Sequence, residues 1–96
     1  MQCLDDCHSY LLETFLKKEP SFNIRFYEIR ENGEKIDGTT NEELLEVLIH
    51  RLKTLNKKVA CKENSSAIIK LEEARMWLKI RTNDRVKRGV EGTNDP

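Results

Sequence analysis

A stretch near the end of the chain, from Glu63 to Arg88, contains no glycine or proline. Residues with high helix propensity fill most of its positions, so length and composition predict one long helix that ends at Gly89. Wound at about 100° per residue, this helix is apolar on two sides, with Ala67, Leu71, Ala74 and Leu78 on one side and Ile69, Met76 and Ile80 on the other. A helix that is apolar on two sides must be covered on two sides. Because the chain is short, we expect a second copy to supply part of that cover.

Composition limits the class of protein. The chain has 96 residues, which predicts a single domain. Its 17 basic and 17 acidic residues balance, so no overall field favours nucleic acid or an acidic membrane. No apolar run approaches the length of a membrane span, and the N-terminus opens with acids, unlike a secretory signal. Three cysteines, an odd number, favour a reducing cytosol over a disulfide framework.

The first twenty residues predict a short amphipathic helix. Apolar residues and one histidine recur at helical spacing over 2–19, and Pro20 stops the pattern. Cys3, Cys7 and His8 would lie one turn apart on such a helix. Zinc normally takes four ligands and no fourth is apparent, so small buried thiols are the alternative and no metal site is predicted.

Residues 21–38 change to a period of two. Phe22, Ile24 and Phe26 alternate with polar neighbours, as in a half-buried strand. Asn32-Gly33 is a strong hairpin signal, because both residues tolerate positive φ. We expect a short return strand from Glu34 to Asp37.

A second helix precedes the long one. Thr40 to Glu43 has the sequence of a capping box, and leucines and isoleucines then recur over about 41–57. The link at 59–61 is short, so residues 40–88 predict an antiparallel helical hairpin. The expected fold class is therefore α+β: an N-terminal short helix and a β-hairpin packed on a long antiparallel helical hairpin, in an oligomer. The tail, 89–96, is expected to be mobile beyond Gly89.

Three polar residues of the long helix project towards one side: Asn64, Arg81 and Arg85. Asn64 and Arg81 are about 26 Å apart along the axis, at about 1.5 Å per residue, so one helix cannot bring them onto one small ligand. Two copies packed antiparallel would place Asn64 of one beside the arginines of the other. The alternative is that both arginines are a solvated helix end that favours the C-terminal dipole.

No nucleophile motif, glycine-rich phosphate loop or metal-ligand cluster occurs, which predicts a protein that is not an enzyme, with no catalytic residues and no cofactor. His50 is expected to be structural. The basic end of the long helix, residues 79–88, offers guanidinium forks suited to phosphate oxygens. The alternative function is a helical adaptor that binds nucleic acid there. Zero net charge and the lack of an interleaved aromatic platform count against it, and Trp77 is expected to lie in the core.

The run from Phe22 to Thr93 resembles phage anti-Thoeris sponge proteins of the first type, which are relatives of the phage anti-CBASS cyclic-nucleotide sponges. Three segments carry the resemblance: C-x-E-N from Cys61, L-E-x-A-x-x-W from Leu71, and R-T-x-D-R-x-x-R-G-V-E-G from Arg81. The resemblance implies a non-catalytic sponge that sequesters a cyclic ADP-ribose-type immune signal in the cytoplasm of the infected bacterium. It also implies a homo-oligomer, dimer or hexamer, with pockets between subunits. Separate sites for cyclic oligonucleotides occur in some similar proteins.

The resemblance also implies site residues. The Asn after Cys-x-Glu, here Asn64, and the two Arg near the helix end, here Arg81 and Arg85, match ligand contacts of the family. The family commonly has a stacking aromatic near the end of the first helix, where this chain has Leu55. That departure affects the stacking contact and the preferred ligand isomer.

Overall fold

Two helices form the second half of the molecule, as the sequence predicts. In the computed structural model, which describes all 96 residues, α1 spans Asn41–Lys58 and α2 spans Lys62–Lys87. The chain divides into two compact units, Met1–Thr40 and Asn41–Pro96. The predicted packing of the hairpin on the helices stays a prediction. Neither helix has the length and apolarity needed to cross a lipid bilayer.

Contacts between α1 and α2 establish that the two helices run antiparallel. Three side-chain pairs join them: Glu42 with Thr82 at 3.5 Å, Lys53 with Glu72 at 3.7 Å, and Asn56 with Ser65 at 3.3 Å. The start of α1 thus meets the end of α2, and the end of α1 meets the start of α2. The predicted helical hairpin is confirmed.

One face of α2 packs against α1. Seven of its buried and half-buried side chains recur at alternating spacings of four and three residues, the pattern of two helices that pack along their length: Asn64, Ile68, Leu71, Arg75, Leu78, Thr82 and Arg85. The most buried apolar side chains are Ile49 of α1, 3% exposed, and Ile68, 7% exposed. The core of this unit is therefore a narrow seam between two helices.

The opposite face of α2 is uncovered in a single protomer. Ile69, Met76, Trp77 and Ile80 are between 47% and 62% exposed, and we call these four residues the outer stripe. The prediction that Trp77 lies in the core is wrong for the protomer, because Trp77 projects away from α1 and is 60% exposed. The second apolar side read from the sequence is thus present and lacks a neighbour within its own unit.

The predicted N-terminal helix is wrong. Residues of that segment instead form β1 (Gln2–Asp5) and β2 (Ser9–Leu12), which pair antiparallel with each other. β2 also pairs with β3 (Phe22–Arg25), giving a three-stranded sheet in the order β1-β2-β3. The turn between β1 and β2 has Asp6 at φ 29° and Cys7 at φ 68°, values that an α-helix excludes.

The segment forms strands because the neighbouring strand β3 needs a partner. β3, which the sequence does predict, is only marginally stable without a partner. It finds that partner in β2, where Tyr10 pairs with Ile24, and Tyr10 also contacts Phe26 edge-on at a ring distance of 5.9 Å. Pairing and aromatic contact outweigh the weak helical pattern of a short polar segment.

A small hairpin follows, as predicted around Asn32-Gly33. β4 (Glu28–Ile29) pairs with β5 (Lys35–Ile36), and Gly33 has φ 84°. The strand that begins at Phe22 does not pair with β5, so the predicted single hairpin over 21–38 is split between two sheets. The loop has three residues, because the amide of Arg30 donates to the carbonyl of Glu34.

Candidate ligand site on the helical hairpin

The link between the helices fixes the start of α2, where Asn64 lies. The side-chain oxygen of Asn56 accepts a hydrogen bond from the amide of Cys61 (3.0 Å). Cys61 is the N-cap of α2, and its Sγ accepts from the amide of Asn64 at 3.4 Å. These bonds satisfy donors that the first turn of a helix leaves open. The half-buried side chain of Asn64 makes no hydrogen bond within the chain. Its side-chain carboxamide is therefore available to a ligand.

Leu55 lies at the same end of the helical hairpin as Asn64. The hydrogen bond from Asn56 to Ser65 holds the last turns of α1, which include Leu55, beside the first turn of α2. Leu55 is 37% exposed and borders a groove of about 560 Å³ on the outer side of α1. That groove is lined by residues of a single helix: Glu43, Glu46, Val47, His50, Arg51, Thr54, Leu55 and Lys58. One protomer therefore offers an open surface here rather than an enclosed pocket.

Arg81 and Arg85 lie at the far end of the hairpin, where Thr82 contacts Glu42. Arg81 is exposed and makes no hydrogen bond or ion pair. Arg85 is on the face that packs against α1 and is only 7% exposed. The two guanidinium groups, which the spacing alone treats as equivalent, therefore have different surroundings.

The buried guanidinium of Arg85 is held by the tail. Its Nη1 donates to the carbonyl of Asp95 (2.7 Å), and its Nη2 donates to the carbonyls of Val90 (2.9 Å) and Thr93 (3.0 Å). Its Nε lies 3.3 Å from the carboxylate of Glu91. These contacts satisfy the requirement that a buried charge be paired and hydrogen-bonded.

The structure brings the predicted site residues together in two groups. Asn64 and Leu55 lie near the link, and Arg81 and Arg85 lie near the open end, about 26 Å and about 32 Å from Asn64 along α2 at about 1.5 Å per residue. A single protomer cannot place all four on one small ligand. A site that uses all four residues would need a second copy, and such a shared site stays a prediction.

Two of the arginines near the C-terminal end of α2 are paired with carboxylates of the same chain. Arg85 faces Glu91, and Nε of Arg88 contacts the carboxylate of Asp84 at 3.0 Å. Internal pairing of this kind weakens the field that a nucleic-acid backbone would experience. The alternative of a nucleic-acid adaptor gains no support from this arrangement.

The other candidate cluster, Cys3, Cys7 and His8, does not form a metal-ligand group. No group of three or more His, Cys, Asp and Glu side chains is arranged to hold a metal ion. The three cysteines are free and exposed, so the interpretation of small buried thiols is wrong. Cys3 accepts a hydrogen bond from the amide of Cys7 at 3.4 Å; Cys3 lies in β1 and Cys7 in the turn that follows it, so neither is on a helix.

Sequence reasoning missed two residues near the site. Glu91 falls in the tail that is expected to be mobile, and the sequence predicts no role for Asn56 near the end of α1. The available signal for Glu91 was its place between two glycines, Gly89 and Gly92, which have φ 72° and 79° and turn the chain back on α2. Asn56 ties the link through both atoms of its amide.

Comparisons with known proteins agree with the architecture. The family model described as Acb2/Tad1, hairpin domain, matches residues 18–82, which includes β3 and most of the helical hairpin. Thoeris anti-defense 1 of Bacillus phage SBSphiJ7 is 41% identical over 85 residues, covering 88% of this chain and 58% of that protein. The chain thus spans a little over half the length of that relative. Leu55, Asn64 and Arg81 fall inside the matched domain, whereas Arg85 and the tail lie beyond it.

Proposed function

The chain belongs to the Acb2/Tad1 hairpin-domain family, and from that premise we propose that it is a phage anti-defence protein that acts against Thoeris immunity. It binds a cyclic ADP-ribose-type signal in the host cytoplasm and sequesters it without cleavage. The downstream effector of the defence system is then never activated. No cofactor takes part.

The state of Arg81 is the observation that carries the proposal. Arg81 is an exposed guanidinium with no internal partner, one helical turn after the exposed Trp77. A guanidinium fork suits the oxygens of a pyrophosphate, because it offers parallel N–H donors to two acceptors. Because Arg81 has no partner within its own chain, these donors are free to bind an anion.

The binding site proposed here forms between copies of the chain. Asn64 of one copy donates to a ribose or base edge, and Arg81 and Arg85 of another copy bind the pyrophosphate. Leu55 lies where the family has a stacking aromatic and offers apolar contact instead. The outer stripe supports assembly, because it leaves four large apolar side chains 47–62% exposed on one face of α2. A dimer is the smallest assembly that completes the site. A hexamer assembled from dimers is the larger form implied by the resemblance.

Ligand release is the most direct test. Purified protein is incubated with cyclic ADP-ribose, passed through a desalting column and heated, and the released material is identified by mass spectrometry. We expect intact ligand, since a sponge retains and does not alter its target. Release of a cleaved product would mean an enzyme, and no retention of this compound or of cyclic oligonucleotides tested beside it would exclude a sponge for these signals.

Subunit mixing tests the shared site. Asn64→Ala and Arg81→Ala proteins each lose binding, but an equal mixture refolded together forms dimers in which one site receives both wild-type residues. Random pairing restores about a quarter of all sites, measured as binding stoichiometry by titration calorimetry. Each variant refolded alone is the control. A mixture that binds no better than the separate variants would place both residues in the same copy or outside the site.

A further inference from the structure

The tail beyond α2 is folded and contacts one of the proposed ligand residues. Gly89 and Gly92 adopt positive φ, and the amide of Val90 donates to the carbonyl of Arg85 at 3.0 Å. The amide of Gly89 donates to the carbonyl of Val86 at 3.1 Å, so the helix ends in the two-bond motif that glycine at this position permits. The chain leaves α2 in a direction that returns it to Arg85.

Further bonds close the loop of the tail. The amide of Thr93 donates to the carbonyl of Val90 at 3.1 Å, and the Thr93 hydroxyl donates to the same oxygen at 2.6 Å. Nη2 of Arg88 donates to the carbonyl of Pro96 at 2.7 Å. Arg85 in the last turn of α2 and Arg88, the C-cap of that helix, thus bind successive parts of one short segment.

These contacts occupy most of the donors of Arg85. A guanidinium has five N–H groups. One on Nη1 and both on Nη2 donate to tail carbonyls, and Nε faces the Glu91 carboxylate. A single N–H on Nη1 is left, whereas bidentate binding of a phosphate uses two parallel donors.

The carboxylate of Glu91 therefore stands where an anionic oxygen of a ligand would bind. We propose that the segment Val90–Pro96 is an internal occupant of Arg85 that a pyrophosphate-bearing ligand displaces, exchanging the Glu91 ion pair and tail carbonyls for phosphate oxygens. This inference rests on the proposed function, because it takes Arg85 as a ligand contact. It adds a competition within the chain that the family assignment does not include.

Displacement has a consequence for selectivity. The apparent affinity of a ligand falls by the fraction of molecules in which Arg85 is free. A small anion that contacts Arg85 alone gains little in exchange for the tail. A larger ligand that also engages Arg81 has additional binding energy to offset the loss, so the tail lowers occupancy by abundant cellular anions.

Two variants of the full chain release the tail by different means. Glu91→Gln removes the negative charge facing Arg85, and Gly92→Val disfavours the positive φ at that position without changing charge. Glu13→Gln, an exposed residue of the other unit, is the control for net charge. Inorganic pyrophosphate and cyclic ADP-ribose are the probes, titrated by calorimetry at constant ionic strength.

We expect both tail variants to bind pyrophosphate several-fold more tightly than wild type, and the control to bind it as wild type does. Adding Arg85→Ala to either tail variant removes the gain. In the wild-type protein, pyrophosphate speeds hydrogen exchange at the amide of Thr93, whose bond to Val90 is part of the loop. Unchanged or weaker pyrophosphate binding in both tail variants overturns the inference and makes the tail a permanent part of the fold.

The two probes separate the inference from the proposed function. If no protein binds cyclic ADP-ribose while the tail variants still gain affinity for pyrophosphate, the proposed ligand is wrong and the competition stands. If wild type and both tail variants bind cyclic ADP-ribose and pyrophosphate with equal affinity, the function stands and the competition is wrong.

Discussion

Two faces of one helix differ sharply in this molecule. Ile68 on the inner face of α2 is 7% exposed, whereas the next residue, Ile69, is 62% exposed. The same contrast separates Arg85, at 7% and surrounded by the tail, from the exposed and unpaired Arg81. The inner face holds the protomer together, and the outer face and Arg81 remain available to other molecules.

This contrast shows that residue type alone does not determine whether a side chain of α2 stabilises its own chain or stays exposed. Arg81 and Arg85 are the same residue type, one turn apart, yet one stabilises its own chain and the other has no partner in it. Their positions relative to α1 cause this difference.

Truncating the two isoleucines should separate the faces most clearly. Ile68→Ala removes a buried side chain from a narrow core and should lower the free energy of unfolding by about 2–5 kcal/mol. Ile69→Ala should change it by about 0.5 kcal/mol or less in dilute protein, because the side chain is exposed there. Urea denaturation at low concentration measures both, and equal losses would show that the outer face is also packed within one protomer.

A charge on the outer stripe should act on assembly instead of on folding. Trp77→Asp places a carboxylate where a second copy would cover the indole, and should cost about 2–4 kcal/mol of association free energy. Sedimentation velocity should then show a single protomer, with an unchanged circular dichroism spectrum. Ser21→Asp, at an exposed position of the other unit, is the control. Persistence of the wild-type oligomer would move the interface elsewhere.

The two arginines should differ in their effect on stability, although loss of either should weaken ligand binding by at least about 1 kcal/mol. Arg85→Ala leaves Glu91 and three tail carbonyls without their donor, and should reduce the free energy of unfolding by about 1–3 kcal/mol. Arg81→Ala should leave stability nearly unchanged and weaken ligand binding by at least about 1 kcal/mol, the scale of a charge-assisted hydrogen bond. Thermal denaturation and calorimetry with cyclic ADP-ribose test each variant, with Arg25→Ala, an exposed arginine of β3, as the control. Unaltered binding by Arg81→Ala would remove it from the site.

The smallest effect concerns the ion pair between the helices. Lys53 and Glu72 are 3.7 Å apart with side chains 51% and 40% exposed, and exposed pairs of this kind contribute about 0.2–1 kcal/mol. A double-mutant cycle with Lys53→Met and Glu72→Gln should measure a coupling in that range that decreases with added salt. A larger coupling would mean that polar contacts, and not the apolar seam, hold the two helices together.

Much of the helical hairpin could be predicted because its signals are local. The glycine-free run from Glu63, the periodic leucines of α1 and Gly89 at the helix end each act within a few turns of the chain. The hairpin at Asn32-Gly33 is equally local. The N-terminal helix was wrong because β2 depends on a partner strand, β3, that lies beyond a loop and Pro20.

The candidate site divides in the same way. Asn64, Arg81, Arg85 and Leu55 were named from spacing and resemblance, and the separation of Asn64 from the arginines follows from helix geometry alone. The burial of Arg85 could not be predicted, because it depends on two glycine turns that return a polar segment to the side of α2. Glycine permits such turns without specifying where the chain goes next.

The sequence alone therefore determines the local structure of this chain: two helices, their caps, a tight hairpin and an apolar pattern on both sides of α2. The partners of those elements were settled by folding, which paired β2 with β3, chose the side of α2 that meets α1, and placed the Glu91 carboxylate against Arg85. The physical reason is range. Helix propensity and glycine conformation act between neighbours, whereas strand pairing and charge burial depend on segments that meet only in three dimensions.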